Sequence, residues 1–423
     1  MAGVPISPRI RMPASPSPVR QHQQPRVPKI TQQGVRIYAD NAATTMMRPE
    51  ALDAYVSTCK EAFANPSSQY AVGRAAHDRL EWARGVFSKY MNVNPDTVYF
   101  TSCGTESNNI AIRSVLARMR KTTGRTIIVT SSVEHSSVRK TAELASGACN
   151  HIMAPVDPRG YIDEQKFREI LMSNQRNIAM ISIILAQNEV GTLQRIPILT
   201  RIAREVLGPY VPFHTDATQA FGKYVIQPDA LGIDMMTASA HKFHGPRGVG
   251  ILYAAANVLD PANIPMSGGG QERGCRSGTE NVPAIIASAV ALECMLGNQE
   301  LHTQRKAQIR ALRDLVAAII VRNIPDVQVN GDPLRGMYNL ISLSLPGGHA
   351  AEMVKKLDLE GIAVGSGSAC NKGRPSESMM AMSKPLEVIQ GTLRISLSEA
   401  NTVEECQELA VSIIRAWRAS KMR

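Results

Sequence analysis

Short apolar runs, each closed by a polar cluster and separated by stretches of helical spacing, recur between residues 98 and 253. Val98-Tyr-Phe100 leads to Thr101-Ser-Cys-Gly-Thr-Glu106, and Thr126-Ile-Ile-Val129 leads to Ser131-Ser-Val-Glu-His135. Met180 to Leu185 runs into Gln187-Asn-Glu189, and Val211-Pro-Phe-His214 into Asp216-Ala-Thr-Gln219. A further run ends in Ser239-Ala-His-Lys242, turns through Gly245, Pro246 and Gly248, and returns as Val249-Gly-Ile-Leu-Tyr253. Runs that are polar on neither face, with helices between them, predict a mostly parallel sheet covered on both sides. Such sheets bind ligands beyond the carboxyl ends of their strands, and every one of these clusters falls there.

The flanking segments complete an α/β chain. Before the sheet, Arg48 to Phe63 and Gly73 to Met91 have helical spacing, the first with Pro49 in its opening turn. After it come helices from Pro283 to about Leu296 and from Leu301 to Val321. Beyond about residue 300 the pattern changes: strand-like Val327 to Asn330, Leu340 to Leu345 and Leu393 to Leu397 alternate with helices near 349–360 and 402–419. Thr402 and Glu405 stand in capping-box spacing at the last helix. The expected organisation is a tail over residues 1–36, a large domain over 37–298 and a smaller C-terminal α+β domain over 299–423, with residues 37–47 packing on the smaller domain.

Charge and cysteine usage narrow the class. The net charge is +11, and residues 1–39 hold six of the basic residues, seven prolines and no Asp or Glu. That composition predicts a disordered tail. It fits an organelle transit peptide, and so a mitochondrial protein, the alternative being an inert or partner-binding tail on a cytoplasmic one. The body lacks basic stripes interleaved with aromatics, which excludes nucleic acid as an expected partner. No run reaches the ~18 apolar residues of a membrane span. The seven cysteines are scattered, with no Cys-x-x-Cys pair, which argues for a reducing compartment and against a disulfide framework or a cysteine zinc site.

Each polar cluster taken alone has an ordinary reading. Thr105 can cap a helix, Asp216 can cap the next one, His135 can be a satisfied strand-end histidine, and Gln219 can bond a loop. Together they supply a helix start suited to phosphate at Gly104 and Thr105, a buried acid, an imidazole, and in Lys242 an amine whose desolvation makes it a nucleophile. Those are the parts that hold pyridoxal phosphate: Asp216 on the ring nitrogen, His135 on its face, Lys242 on its aldehyde. Gly365-Ser-Gly-Ser-Ala-Cys-Asn-Lys-Gly-Arg-Pro375 reads as a mobile loop, with Lys372 and Arg374 beside the thiol of Cys370. Cys59, Cys294 and Cys406 read as apolar fillers in helices, whereas Cys103 and Cys275 adjoin site loops.

With these residues in place, the chain resembles the class V, fold-type I pyridoxal-phosphate enzymes of the cysteine desulfurase and selenocysteine lyase group. The motifs that carry the likeness run from Asp40-Asn-Ala-Ala-Thr-Thr45 through Asn65-Pro-Ser-Ser68, Gly104-Thr-Glu-Ser-Asn-Asn109, Glu134-His135 and Asn188-Glu-Val-Gly191. They continue through Asp216-Ala-Thr-Gln219, His241-Lys242, Gly268-Gly-Gly-Gln-Glu-Arg273, Arg276-Ser-Gly-Thr279, Gly365 to Cys370, and Leu393-Arg-Ile-Ser-Leu397. The resemblance implies that Lys242 bonds the cofactor aldehyde and that Asp216 and Gln219 hold its ring. It implies that Gly104, Thr105, Ser239 and His241 bind the phosphate, and that His135 stacks on the ring and moves protons. Asn188 and Arg394 would hold the substrate carboxylate, and Thr279 would reach the phosphate of a neighbouring subunit in a homodimer. Cys370 would take sulfur from L-cysteine, leaving L-alanine and a persulfide for a sulfur-acceptor or iron-sulfur scaffold protein, as in the subgroup with a long flexible loop before Arg394. No metal is implied. Cys103 stands where the family has a small residue, and Cys275 where it has a bulkier apolar one; either is in a position to add redox sensitivity. The competing expectations are a selenocysteine lyase acting on L-selenocysteine, an ordinary transaminase, and a non-catalytic relative.

Overall fold

Apolar runs without a polar face become inner strands, because only a sheet covered on both sides buries them completely. In the computed structural model, which describes residues 34–147, 150–367 and 375–421, this holds for the inner strands of the central sheet. After an opening strand β1 (Ile37–Ala39) the chain forms β2 (Val98–Thr101), β3 (Ile127–Ser131), β4 (His151–Ala154), β5 (Ile178–Ile184), β6 (Phe213–Asp216), β7 (Met235–Ser239) and β8 (Gly250–Ala254). The seven last named lie in the order β2-β8-β7-β6-β5-β3-β4. Pairing is parallel from β4 through β3, β5 and β6 to β7, whereas β8 is antiparallel to both β7 and β2. Strand β8 therefore runs alone against the rest. Every residue of β3, β5, β6, β7 and β8 is buried.

The helices follow the expected spacing closely. Helices α1 (Pro49–Glu61) and α2 (Ala71–Met91) precede the sheet, and α3 (Gly104–Thr123) and α4 (Ser136–Ser146) each leave a strand end. Helix α3 stops at Gly124, whose φ of 72° is the left-handed conformation that closes helices without a Cβ penalty. Helices α5 (Glu164–Ser173), α6 (Ile196–Leu207) and α7 (Pro228–Leu231) connect the parallel strands, and α8 (Val282–Leu296) is buried over most of its surface.

A second sheet has its own core. It runs β1-β11-β12-β10-β9, with β9 (Gln328–Asn330), β10 (Leu340–Ser344), β11 (Ile362–Ser366) and β12 (Thr392–Ser396). Its apolar face packs on α9 (Gln299–Asn323), α10 (Ala350–Leu359) and a C-terminal helix, Val403–Lys421, through residues such as Val316, Met353 and Ile413. That last helix opens on the expected capping box: Glu405 N–H donates to Thr402 Oγ1 and Thr402 N–H to Glu405 Oε2, each at 3.2 Å. Strand β1 pairs in parallel with β11, so residues 37–39 join the sheet whose other strands lie some 300 residues later.

Three expectations need correction or limits. Gly365 and Ser366, read as the start of a mobile loop, close strand β11 instead. A Cβ on Gly365 would lie 2.8 Å from Asp40 Oδ1 and 3.0 Å from Arg394 Nε, so this glycine serves close approach and not a turn. Cys59, read as a filler, is exposed on α1. Residues 1–33, and with them most of the expected tail, lie outside the described residues, as do Cys149 and Cys370. From Ser376 onward the segment before Arg394 is built: α11 (Glu377–Ala381) and α12 (Leu386–Gln390) bury Met379, Met382 and Ile389 against Val133, Ile184 and Val190.

One buried ion pair fixes the loop from Gly268 to Thr279 to the edge of the large sheet. Arg84 on α2 meets both carboxylate oxygens of Glu272 at 2.9 Å and donates to the Val98 carbonyl, while Phe100 N–H donates to Glu272 Oε2 at 2.8 Å. Removing one partner of such a pair strands the other charge out of water. Glu272→Ala is therefore expected to lower the unfolding free energy in urea by about 3–5 kcal/mol. A loss under about 1 kcal/mol would show that the pair holds nothing in place.

Candidate active site

The carboxyl ends of β2, β3, β5, β6 and β7 open on one cavity of ≈ 420 Å³. Gly104 and Thr105 reach it from β2, His135 from β3, Asn188 from β5, and Asp216 with Gln219 from β6. Ser239, His241 and Lys242 close it from β7, and Arg394 borders it from β12 of the smaller sheet. Thr279 lies exposed and outside this lining, and Cys370 belongs to the segment outside the described residues. Among the described residues there is no group of three or more His, Cys, Asp or Glu able to hold a metal ion.

At one end the start of α3 faces the cavity. Its N-cap is Cys103, which makes no side-chain cap bond, so the positive end of this helix dipole is not spent on a Ser, Thr, Asp or Asn side chain. Gly104 is tightly packed: a Cβ there would stand 3.0 Å from Thr218 Oγ1, which would have to give way. His241 stands nearby with Nδ1 3.1 Å from Thr44 Oγ1. Burial, followed by the charges of Lys242, Lys223 and Arg247, pushes its pKa down to about 4, so the ring is neutral at physiological pH. A neutral imidazole keeps one N–H to offer an anion.

Deeper in, a chain of hydrogen bonds joins three strand ends. Asn108, one turn along α3 from Gly104, donates from Nδ2 to Asp216 Oδ2 and to Ser137 Oγ, both at 2.9 Å. Ser137 Oγ lies 2.7 Å from His135 Nδ1, and the Ser137 main-chain N–H donates to the same nitrogen. Because Nδ1 accepts, the neutral ring of His135 carries its proton on Nε2. Burial lowers the His135 pKa below the ordinary histidine range, with Asp216 opposing and Lys242 adding to the shift. The other Asp216 oxygen accepts from Thr218 N–H at 2.9 Å.

Lys242 sits in the single helical turn after β7 and donates from Nζ to the carbonyls of Ala42 and Ala43, both at 2.7 Å. Gln219 Nε2 donates to the same Ala42 carbonyl at 2.8 Å, leaving its buried Oε1 without a partner. Asn108 Oδ1 is likewise buried and unpaired. Both belong to residues that line the cavity, and an unmet polar atom in such a place fits a polar ligand. Arg394 donates from Nη2 to Asp40 Oδ1 at 2.8 Å and from Nη1 to the Asn188 carbonyl at 2.9 Å, and its buried Nε has no partner.

Sequence reasoning missed Asn108, Ser137, Thr218 and Asp40. Asn108 and Ser137 are polar residues in the first turns of helices that leave strand ends, four residues after Gly104 and two after His135. That spacing is the signal that finds them. The main-chain carbonyls of Ala42 and Ala43 leave no such trace.

Glu134, beside His135, is wholly buried; its Oε1 accepts from Ser131 Oγ at 2.5 Å and from Ile184 N–H at 2.8 Å, and Oε2 has no partner. Burial pushes its pKa up to about 8, against these hydrogen bonds. The folded state then holds a proton that the unfolded chain has released, so stability falls as pH rises between about 4.5 and 8. Glu134→Gln is expected to remove up to about 1.4 kcal/mol per pH unit of that slope in urea titrations from pH 5 to 8. Parallel slopes in the variant and the parent would contradict it.

Comparison with known proteins places this geometry. The family model of class-V aminotransferases matches residues 37–409. The chain is 36% identical over 373 residues to the cysteine desulfurase IscS of Dictyoglomus turgidum, covering 87% of this chain and 91% of that one. It is 38% identical over 380 residues to a cysteine desulfurase of Cereibacter sphaeroides, covering 88% and 94%. A solved NifS-like protein superposes with a TM-score of 0.82 at 31% identity, over 90% of this chain and 98% of its own.

Proposed function

The chain belongs to the class-V aminotransferase family, and on that premise we propose that it is a cysteine desulfurase converting L-cysteine to L-alanine. The observation that carries the reading is the shared cavity, where one amine, one acid, one imidazole and one arginine meet at strand ends.

The family implies pyridoxal phosphate, and the donor set fits it. Lys242 would hold its aldehyde, Asp216 its ring nitrogen, and His135 a ring face, with Gln219 beside the ring. Gly104, Thr105, Ser239 and His241 would hold its phosphate, with Thr279 contributed across a homodimer. When bound, the cofactor supplies an aldehyde for an amine and a conjugated ring that takes up the electron pair released at the substrate α-carbon. The remaining work falls to the chain. Arg394 and Asn188 bind the substrate carboxylate, with Asp40 fixing the guanidinium from behind. His135, neutral and oriented by Ser137, moves a proton at Nε2. The thiol of Cys370 attacks the substrate sulfur: an S–S bond forms, the C–S bond breaks, and a proton replaces sulfur on the β-carbon. The products are L-alanine and a persulfide on Cys370, ready for a sulfur-acceptor or iron-sulfur scaffold protein. The basic, acid-free residues 1–36 support a mitochondrial destination.

Purified protein loaded with pyridoxal phosphate is expected to yield alanine from L-cysteine, and sulfide when a thiol reductant is present. Cys370→Ser should lose at least about 100-fold in turnover while keeping the absorption of the bound cofactor. Turnover of L-selenocysteine with negligible activity on L-cysteine would replace this reading with a selenocysteine lyase, and a 2-oxo acid as product in place of alanine, undiminished in Cys370→Ser, would replace it with a transaminase.

A further inference from the structure

Lys223 is a buried lysine that the reaction as described does not use, 4% exposed and close behind the cavity. It follows Gln219 by four residues in a non-helical turn, and its Nζ donates to two main-chain carbonyls, that of Gln219 at 2.9 Å and that of Lys242 at 2.7 Å. The neighbouring residues clasp the same two turns together. The rings of Phe221 and Phe243 meet edge to face at 5.7 Å. Gly222, at φ 79°, lies so near Phe243 that an added Cβ would fall 2.4 Å from the Phe243 Cβ. The turn that carries Gln219 is thus pressed onto the turn that carries Lys242 at three consecutive positions, and Lys223 makes that contact through a hydrogen bond to the main-chain carbonyl of Lys242 itself.

We propose that Lys223 is a positioning residue for Lys242, its amine bolting the two turns together and so setting where the Lys242 amine stands relative to the ring-side Gln219. The inference rests on Lys242 being the cofactor lysine.

Charge acts in the same direction. Burial, and then the charge of Lys242, push the Lys223 pKa down to about 7. Like charges act on each other equally, so a proton on Lys223 disfavours one on the Lys242 amine. The other groups facing Lys223 are few. His241 and His244 both feel its charge. It also borders a second cavity of ≈ 20 Å³ with His302, Arg305, Tyr338 and Glu399, where Arg48 and Arg305 already pair with Glu399.

The test compares pyridoxal-phosphate-loaded wild type with Lys223→Met, Lys223→Arg and Lys242→Ala. Two quantities are read: the pH midpoint at which the visible absorption of the bound cofactor changes form, and kcat and KM for L-cysteine. Lys223→Met removes both the charge and the donors, and should raise the midpoint by roughly one pH unit. It should also lower kcat about tenfold with KM within about twofold, since Arg394 is untouched. Lys223→Arg keeps the charge and is expected to return most of the midpoint shift. A midpoint and kcat unchanged in Lys223→Met overturn the proposal, and so does Lys223→Arg shifting as far as Lys223→Met, which would mean lost packing alone. If Lys223→Met does not fold, Lys223→Gln takes its place, keeping a donor without the charge, with the same upward shift expected and its absence equally contrary. An unchanged cofactor spectrum in Lys242→Ala would instead sink the assignment of Lys242, separately from that of Lys223.

Discussion

Strand direction governs this molecule. Because every strand of the large sheet except β8 points the same way, the chain leaves the sheet at one edge each time it completes a strand. Inside the sheet the few polar side chains pair among themselves, as Ser182, His214 and Thr237 do, and the remaining polar residues gather at that edge. There they are half in the core and must satisfy one another, since an unpaired buried polar group costs on the order of 1–3 kcal/mol. The bonds from Asp216 to Asn108, on to Ser137 and on to His135 are the outcome. A site built this way is held by the ends of strands rather than by independent loops, which keeps its donors and acceptors in fixed relation.

The residues around β1 do a second job. Strand β1 is paired to β11 of the smaller sheet, and the residues just after it reach back to the large one. Asp40 holds Arg394, the carbonyls of Ala42 and Ala43 hold the amine of Lys242, and Thr45 accepts the His244 N–H while donating to the His241 carbonyl. Six residues thus connect Arg394 of one sheet to the Lys242 amine of the other. The register of β11 against β12 sets Gly365 opposite Arg394, and the missing side chain there is what lets the guanidinium lie against the strand on its way to Asp40.

Much of this was legible in the sequence, for a physical reason: a fully buried parallel strand is a continuous apolar run, and its polar sequel marks the ligand edge. Ten of the twelve residues singled out as site candidates line one cavity. What escaped has equally physical causes. Strand β4 is an edge strand of four residues that opens on His151, leaves Met153 exposed and contributes no residue to the cavity, so no polar sequel marks it. Strand β11 contains Gly365, and a glycine that serves close approach looks in sequence like one that serves a turn. Lys223 follows an apolar turn and has no nearby acid to betray its burial; its partners are carbonyls, which no sequence displays.

The central claim is that the strand ends present one particular amine to an aldehyde cofactor. Borohydride reduction of the pyridoxal-phosphate-loaded protein fixes the cofactor to whichever lysine holds it, and peptide mass spectrometry then reads the position. The account expects the added mass on Lys242. Modification of Lys223 or of a surface lysine, with Lys242 unmodified, would contradict it.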